Sequence, residues 1–335
     1  MSVAGPAWQA GWVQFSADEL AWAAGVAGRW VPPTPQYVWP LLAEQVGAEV
    51  WVKHENHTPT GAFKVRGGLI YAERLRAGRP SVKGIVSATR GNHGQSLAFA
   101  GRAAGLVVTI VVPEGNSPDK NASMRGFGAE LVVHGHDFQA AREHAGLLGA
   151  ERGLEVVPAY HPDLVLGVAT YAAELFRAAG ELDAVYVPVG LGSGICGIIG
   201  VRDLLGLRTE VIGVVAEQAP AIARSVAAGR AVSTATADTF VDGVACRVPD
   251  EAAIPVICSG AARILQISED DAAQAMRVLY ATTHNAPEPA GALALAGLLA
   301  ERSRTAGKRI AVIQTGGNAD TGLLTQVLTG HTPTV

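Results

Sequence analysis

Lys64 stands in the run NHTPTGAFKVRGG, just after a strand-like segment, with Gly61 allowing a turn and Ala62 and Phe63 immediately before it. A lysine that opens a helix sits against the positive end of the helix dipole, and small or apolar neighbours keep water away. Both effects favour the neutral, nucleophilic amine. Such an amine can form a Schiff base with a carbonyl compound. Most lysines are simply solvated, so Lys64 acquires meaning only through its company.

That company is a set of glycine-rich junctions. In AVYVPVGLGSGICGIIG a strand-like run leads into Gly190, Gly192, Gly194 and Gly197. Glycines at a strand end let several backbone N–H groups converge, and the next helix adds its positive end, which suits a phosphate. Ser193 adds a hydroxyl. The same residues also match G-x-G-x-x-G, with Glu217 20 residues beyond Gly197, as a dinucleotide site with an acidic ribose ligand requires. A tight turn with no ligand is a third reading, and the loop alone leaves all three open. Two further junctions are polar: VSATRGNHGQSLAFAGRAAG, with Thr89, Gly91, Asn92 and His93, and VIQTGGNAD, with Thr315, Gly316, Gly317 and Asn318. Exposed N–H groups and the Asn92 amide can hold a carboxylate or a phenolate-like oxygen.

These junctions need strands and helices to position them. Short β-branched runs bounded by glycine or proline alternate with alanine- and leucine-rich segments, the pattern of parallel βαβ units. Strands are expected at residues 49–53, 84–87, 107–112, 130–133, 184–189, 211–216 and 309–313. Helices are expected at about 64–76, 93–104, 138–152, 164–179, 195–205, 270–283 and 289–302. Runs such as VVTIVV are apolar throughout, as strands covered on both faces must be. The expected fold is α/β, with open twisted sheets in two lobes and ligands at the carboxyl ends of the strands.

Composition narrows the function. With 335 residues, the chain has room for about two domains of ~150 residues. Lys+Arg of 26 against Asp+Glu of 30 leaves a net charge of −4 without any like-charged block, which disfavours a reader of nucleic-acid phosphates. The three cysteines, Cys196, Cys246 and Cys258, lack metal or disulfide spacing and are expected to be packed residues in a reducing cytoplasm. His134-Gly135-His136 has no third ligand nearby and reads as a surface turn. Met1–Trp12 lacks an export signal, and no apolar run is long enough to span a membrane.

Taken in order, PTGAFKVRGG, GNHGQ, VPVGLGSG, EPAGALALAG and TGGN resemble the threonine dehydratase and serine racemase branch of the fold-type II pyridoxal-phosphate enzymes, over about Thr34 to Leu324. The resemblance implies a tryptophan-synthase-β-like architecture. Residues 1–75 and 164–335 would form a large cofactor-binding domain and residues 76–163 a small one, with no carboxyl-terminal regulatory domain. It implies that Lys64 bonds to pyridoxal 5'-phosphate and moves the substrate α-proton, with Phe63 beside the cofactor. Asn92 would bond the ring 3-oxygen, Gly190, Leu191, Gly192, Ser193 and Gly194 would surround the phosphate, and Thr315 would face the ring nitrogen. Thr89, Arg90, Gly91, Asn92 and His93 would meet the substrate, and Gly243 and Glu288 would line the site.

The implied reaction is dehydration of a β-hydroxy-α-amino acid to a 2-oxo acid and ammonia by a homodimeric cytoplasmic lyase. Threonine, serine, 3-hydroxyaspartate and 3-phenylserine are all open as substrates. The chain departs from the family pattern at Ala62, where serine is usual, and at Arg90, where serine racemase carries a serine that protonates the carbanion. Arg90 either pairs with a second substrate carboxylate or points outward. A divalent-cation site is incomplete, because Ala223 stands where a carboxylate is expected beside Glu217 and Ala221, so no metal is expected. A racemase, a nicotinamide-dinucleotide oxidoreductase and a non-catalytic binding protein are the alternatives.

Overall fold

The computed structural model describes residues 15–334, so the expectation for Met1–Trp12 falls outside the described residues. The strands are β1 (Gln36–Val38), β2 (Glu49–His54), β3 (Gly84–Ala88), β4 (Val107–Val112), β5 (Glu130–Val133), β6 (Glu155–Val156), β7 (Ala184–Pro188), β8 (Glu210–Ala216), β9 (Arg263–Ile267) and β10 (Arg309–Gln314). They form a six-stranded sheet of order β1-β2-β10-β7-β8-β9 and a four-stranded sheet of order β5-β4-β3-β6. All pairings are parallel except that of β1 with β2. Every residue of β3 and β7 is buried, since helices cover both faces.

Each strand expected from the sequence is present, with ends shifted by at most one residue. Three strands were not expected. β1 is a three-residue edge strand between Pro35 and Pro40, β6 has two residues, and β9 mixes Arg263 and Gln266 with apolar positions because it is a half-exposed edge. The helix Ala17–Gly28 was also not expected, although its capping box joins Ser16 and Glu19 reciprocally. Short helices at Pro40–Val46, Pro118–Gly126, Ala221–Ala228, Ala253–Gly260, Arg302–Thr305 and Thr321–Leu328 were not expected either.

Two features position the site. Because β10 is inserted between β2 and β7, the loops leaving these three strands emerge side by side. The helices Lys64–Gly78 and Pro162–Ala179 also cross at two glycines. A Cβ on Gly167 would fall 2.3 Å from the Arg66 carbonyl oxygen, and one on Gly67 would fall 2.7 Å from that of Leu164. The close crossing brings Arg66 onto a dry charge network. Its Nε and Nη2 donate to Glu55 at 2.8 and 3.0 Å, and its Nη1 and Nη2 donate to Glu174 at 2.7 and 2.9 Å. Lys53 Nζ donates to Glu174 at 2.6 Å and to the Thr34 carbonyl at 3.0 Å, so two cations and two anions are matched. The first turn of this helix is thereby held against β2 and its neighbour helix.

Candidate active site

A cavity of about 150 Å³ opens where the ends of β2, β3, β7 and β10 meet. All fifteen residues expected in the site line it, and five more join them: Lys120, Pro188, Asp242, Val244 and Ala290.

Lys64 is the first residue of its helix and is held there by backbone. Phe63 N–H donates to the Thr315 carbonyl at 3.0 Å, Ala62 bridges Gly316, and Gly317 N–H donates to the Gly61 carbonyl at 2.9 Å. Gly61 allows this with φ +67°. Ser96 Oγ donates to the Lys64 carbonyl at 2.6 Å, tying the same turn to the helix Asn92–Ala103. Lys64 Nζ lies 4.4 Å from the centre of the Phe63 ring. Burial pulls the amine down to about 8, against the opposing pull of Glu288.

Asn92 is oriented from two sides. Its Oδ1 accepts from Asn318 Nδ2 at 2.8 Å, which leaves Nδ2 to donate to the Glu288 carboxylate at 2.8 and 2.9 Å. Asn318 in turn donates to the Thr60 carbonyl at 2.8 Å, so the three loops share one amide. Glu288 is buried, and its carboxyl is pushed up by that burial and by Asp242, although Asn92, Lys120 and Lys64 oppose the shift. Burial, and secondarily Lys64, hold the His93 ring down at about 3, so it is neutral at physiological pH. Its Nε2 is buried without a partner among the described residues.

Across the cavity, Gly190–Gly194 lead from β7 into the helix Ser193–Leu204. Gly192 has φ +105°, and no side chain caps this helix, so its first N–H groups remain available to an anion. A Cβ at Gly190 would sit 2.9 Å from the Gly243 carbonyl oxygen, which explains why the loop is glycine there.

Lys120 and Asp242 form an ion pair across the cavity that the sequence reading missed. The missed signal is local on one side only: Ser117-Pro118 starts a helix, with Lys120 in its first turn, as Lys64 opens another. Arg90 is exposed at the rim. Glu217, the ribose ligand of the dinucleotide reading, is exposed and does not line the cavity. Cys196 and Cys246 are buried, and burial pushes both thiols up to about 12. Cys258 corrects the expectation of three packed cysteines, because it lies on the exposed side of the helix Ala253–Gly260. His134 stacks on His144 with ring centres 3.8 Å apart. Among the described residues, no helix is long and apolar enough to cross a membrane.

Comparison with known proteins fits this geometry. The pyridoxal-phosphate dependent enzyme family matches residues 29–316. The L-threo-3-hydroxyaspartate ammonia-lyase of Saccharomyces cerevisiae is 30% identical over 87% of this chain and 89% of its own length. The biosynthetic L-threonine dehydratase of Haemophilus influenzae is 28% identical over 85% of this chain but only 56% of its own, so the chain spans about half of that longer relative. Among solved structures, the T.th. threonine deaminase superposes with a TM-score of 0.86 at 32% identity, covering 91% of this chain and 99% of that one.

Proposed function

The chain belongs to the pyridoxal-phosphate dependent enzymes, and from that premise we propose that it is an ammonia-lyase that eliminates water from β-hydroxy-α-amino acids. The observation that carries this reading is Lys64. It is a buried amine held down at about 8, fixed at a helix start beside an uncapped glycine cradle.

The cavity residues fit the cofactor. Three cations, Lys64, Arg90 and Lys120, face two anions, Asp242 and Glu288, which leaves a positive surplus suited to an anionic guest. Gly190–Gly194 would hold the phosphate through backbone N–H groups, with Ser193 adding its hydroxyl. Asn92 Nδ2, which donates to Glu288 here, would turn to bond the ring oxygen, and Thr315 would bond the ring nitrogen. When bound, pyridoxal 5'-phosphate supplies an aldehyde for covalent capture and an electron sink for the substrate α-carbon.

The protein's own groups do the rest. Lys64 would anchor the cofactor, and its Nζ would take the proton from the substrate α-carbon. The loop Thr89–His93 would hold the substrate carboxylate through the N–H groups of Arg90, Asn92 and His93, since those of Thr89 and Gly91 already donate to the Val111 carbonyl and to Thr89 Oγ1, and His93 stays neutral beside it. The β-hydroxyl would leave as water by taking up a proton, balanced by the α-proton that Lys64 Nζ has accepted, and hydrolysis of the released product would yield a 2-oxo acid and ammonia. A neutral Thr315 does not hold the ring nitrogen protonated, which favours prompt elimination over transamination. Arg90, always charged, is a poor proton shuttle, which favours elimination over racemisation. As a guanidinium at the rim it also favours a substrate with a second carboxylate, such as 3-hydroxyaspartate.

The reading includes a large domain of residues 1–75 and 164–335, a small one of residues 76–163, and a cytoplasmic homodimer. An assay of L-threonine, L-serine, 3-hydroxyaspartate and 3-phenylserine for ammonia and 2-oxo acid tests the function. Release from at least one is expected, and release from none overturns the reading.

A further inference from the structure

Lys120 is a cation where two general tendencies oppose one. It occupies the first turn of the helix Pro118–Gly126, at the positive end of the dipole, and its side chain is only 10% exposed. Asp242, its partner from the far wall, is 38% exposed, so the ammonium is the fixed member of the pair and the carboxylate the replaceable one. The stem of Lys120 runs along Gly91. A Cβ built on Gly91 would lie 3.2, 3.7 and 3.9 Å from Cδ, Cε and Nζ. The ammonium therefore lies beside the loop Thr89–His93, in the lining of the same cavity as Gly190–Gly194.

We propose that Lys120 binds the α-carboxylate of the substrate, and that Asp242 holds its ammonium in the ligand-free protein and yields to that carboxylate. The inference rests on the reading of this cavity as an amino-acid site. It explains why a buried cation and a half-exposed anion meet across the cavity mouth. Burial pulls the Lys120 ammonium down, but Asp242, Glu288 and Asp320 outweigh it, so the group stays charged and ready for an incoming anion. The exchange replaces one carboxylate by another, which avoids leaving a buried charge unpaired at any stage.

The test is a calorimetric titration of the cofactor-loaded protein with malonate, an unreactive carboxylate, in two variants. Lys120→Met is expected to weaken binding by roughly ten- to hundredfold, the worth of one charge-assisted hydrogen bond. Asp242→Asn is expected to tighten it, because the competing carboxylate is gone. With a turned-over substrate, Lys120→Met should raise KM far more than it lowers kcat, and Lys120→Arg should restore part of the loss. A merely structural ion pair predicts instead that both variants weaken binding together. Unchanged or weaker malonate binding in Asp242→Asn overturns the proposal, even where Lys120→Met fails to fold. The titration needs no turnover, so absence of ammonia release would count against the proposed reaction and not against Lys120.

Discussion

Lys64 and Arg66 stand two residues apart in the first turn of one helix and meet opposite surroundings. Arg66 faces Glu55, Glu174 and Thr170, with its guanidinium fully engaged and every charge of the cluster matched. Lys64 faces a cavity, with the Phe63 ring beside its amine and no hydrogen-bond partner for that amine among the described residues. The saturated cluster stabilises, and the unsaturated one is left with unmet demand for a ligand. Burial alone does not mark a functional charge, since Arg66 is the more deeply buried of the two. What separates them is whether the protein supplies the partners itself.

The largest effect should come from removing Lys64. Lys64→Ala is expected to lower kcat/KM by at least about 10²–10⁴-fold, from loss of the α-proton base alone, while its midpoint of urea unfolding stays at or above that of the wild type. A marked loss of stability would put Lys64 in the same class as Arg66 and break the contrast. For Arg66→Met the balance reverses. Removing one member of a matched dry network leaves two carboxylates short of a partner and should cost about 3–5 kcal/mol, read by denaturant unfolding of the apo-protein.

A smaller change should follow at the phosphate cradle. Gly190→Ala forces the loop away from the Gly243 carbonyl and should weaken cofactor binding roughly tenfold, about 1.4 kcal/mol, with global stability little altered. Smallest is the electrostatic coupling of Glu288 to Lys64. Capture of added cofactor by apo-protein needs the neutral amine, so its rate should rise with pH through a midpoint near 8. Glu288 favours the ammonium, so Glu288→Gln should move that midpoint to lower pH. A shift to higher pH would show that Glu288 acts on Lys64 in some other way.

Much of this architecture was legible in the sequence, for reasons that vary by residue. Runs such as those of β4 and β7 are apolar throughout because both faces are covered, so composition and flanking glycines reveal them. β9 was hidden because an edge strand tolerates Arg263 and Gln266. The Gly190–Gly194 run and the Thr89–His93 and Thr315–Asn318 loops were readable because glycine and polar residues cluster locally at the ends of apolar strands. Lys120 with Asp242, and Arg66 with Glu55 and Glu174, were not readable as pairs. Their partners come from remote parts of the chain, and no local pattern distinguishes a lysine or arginine that will be saturated from one that will not. Even Lys64 and Arg66 look alike at that level.

The central claim is that Lys64 is the single covalent anchor of a pyridoxal-phosphate lyase. Borohydride reduction of the purified protein, followed by peptide mapping, tests it most directly. Loss of the cofactor's visible absorbance with a pyridoxyl group on Lys64 is the expected result. A label on Lys120 or another lysine, or a protein that carries no cofactor to reduce, would contradict it.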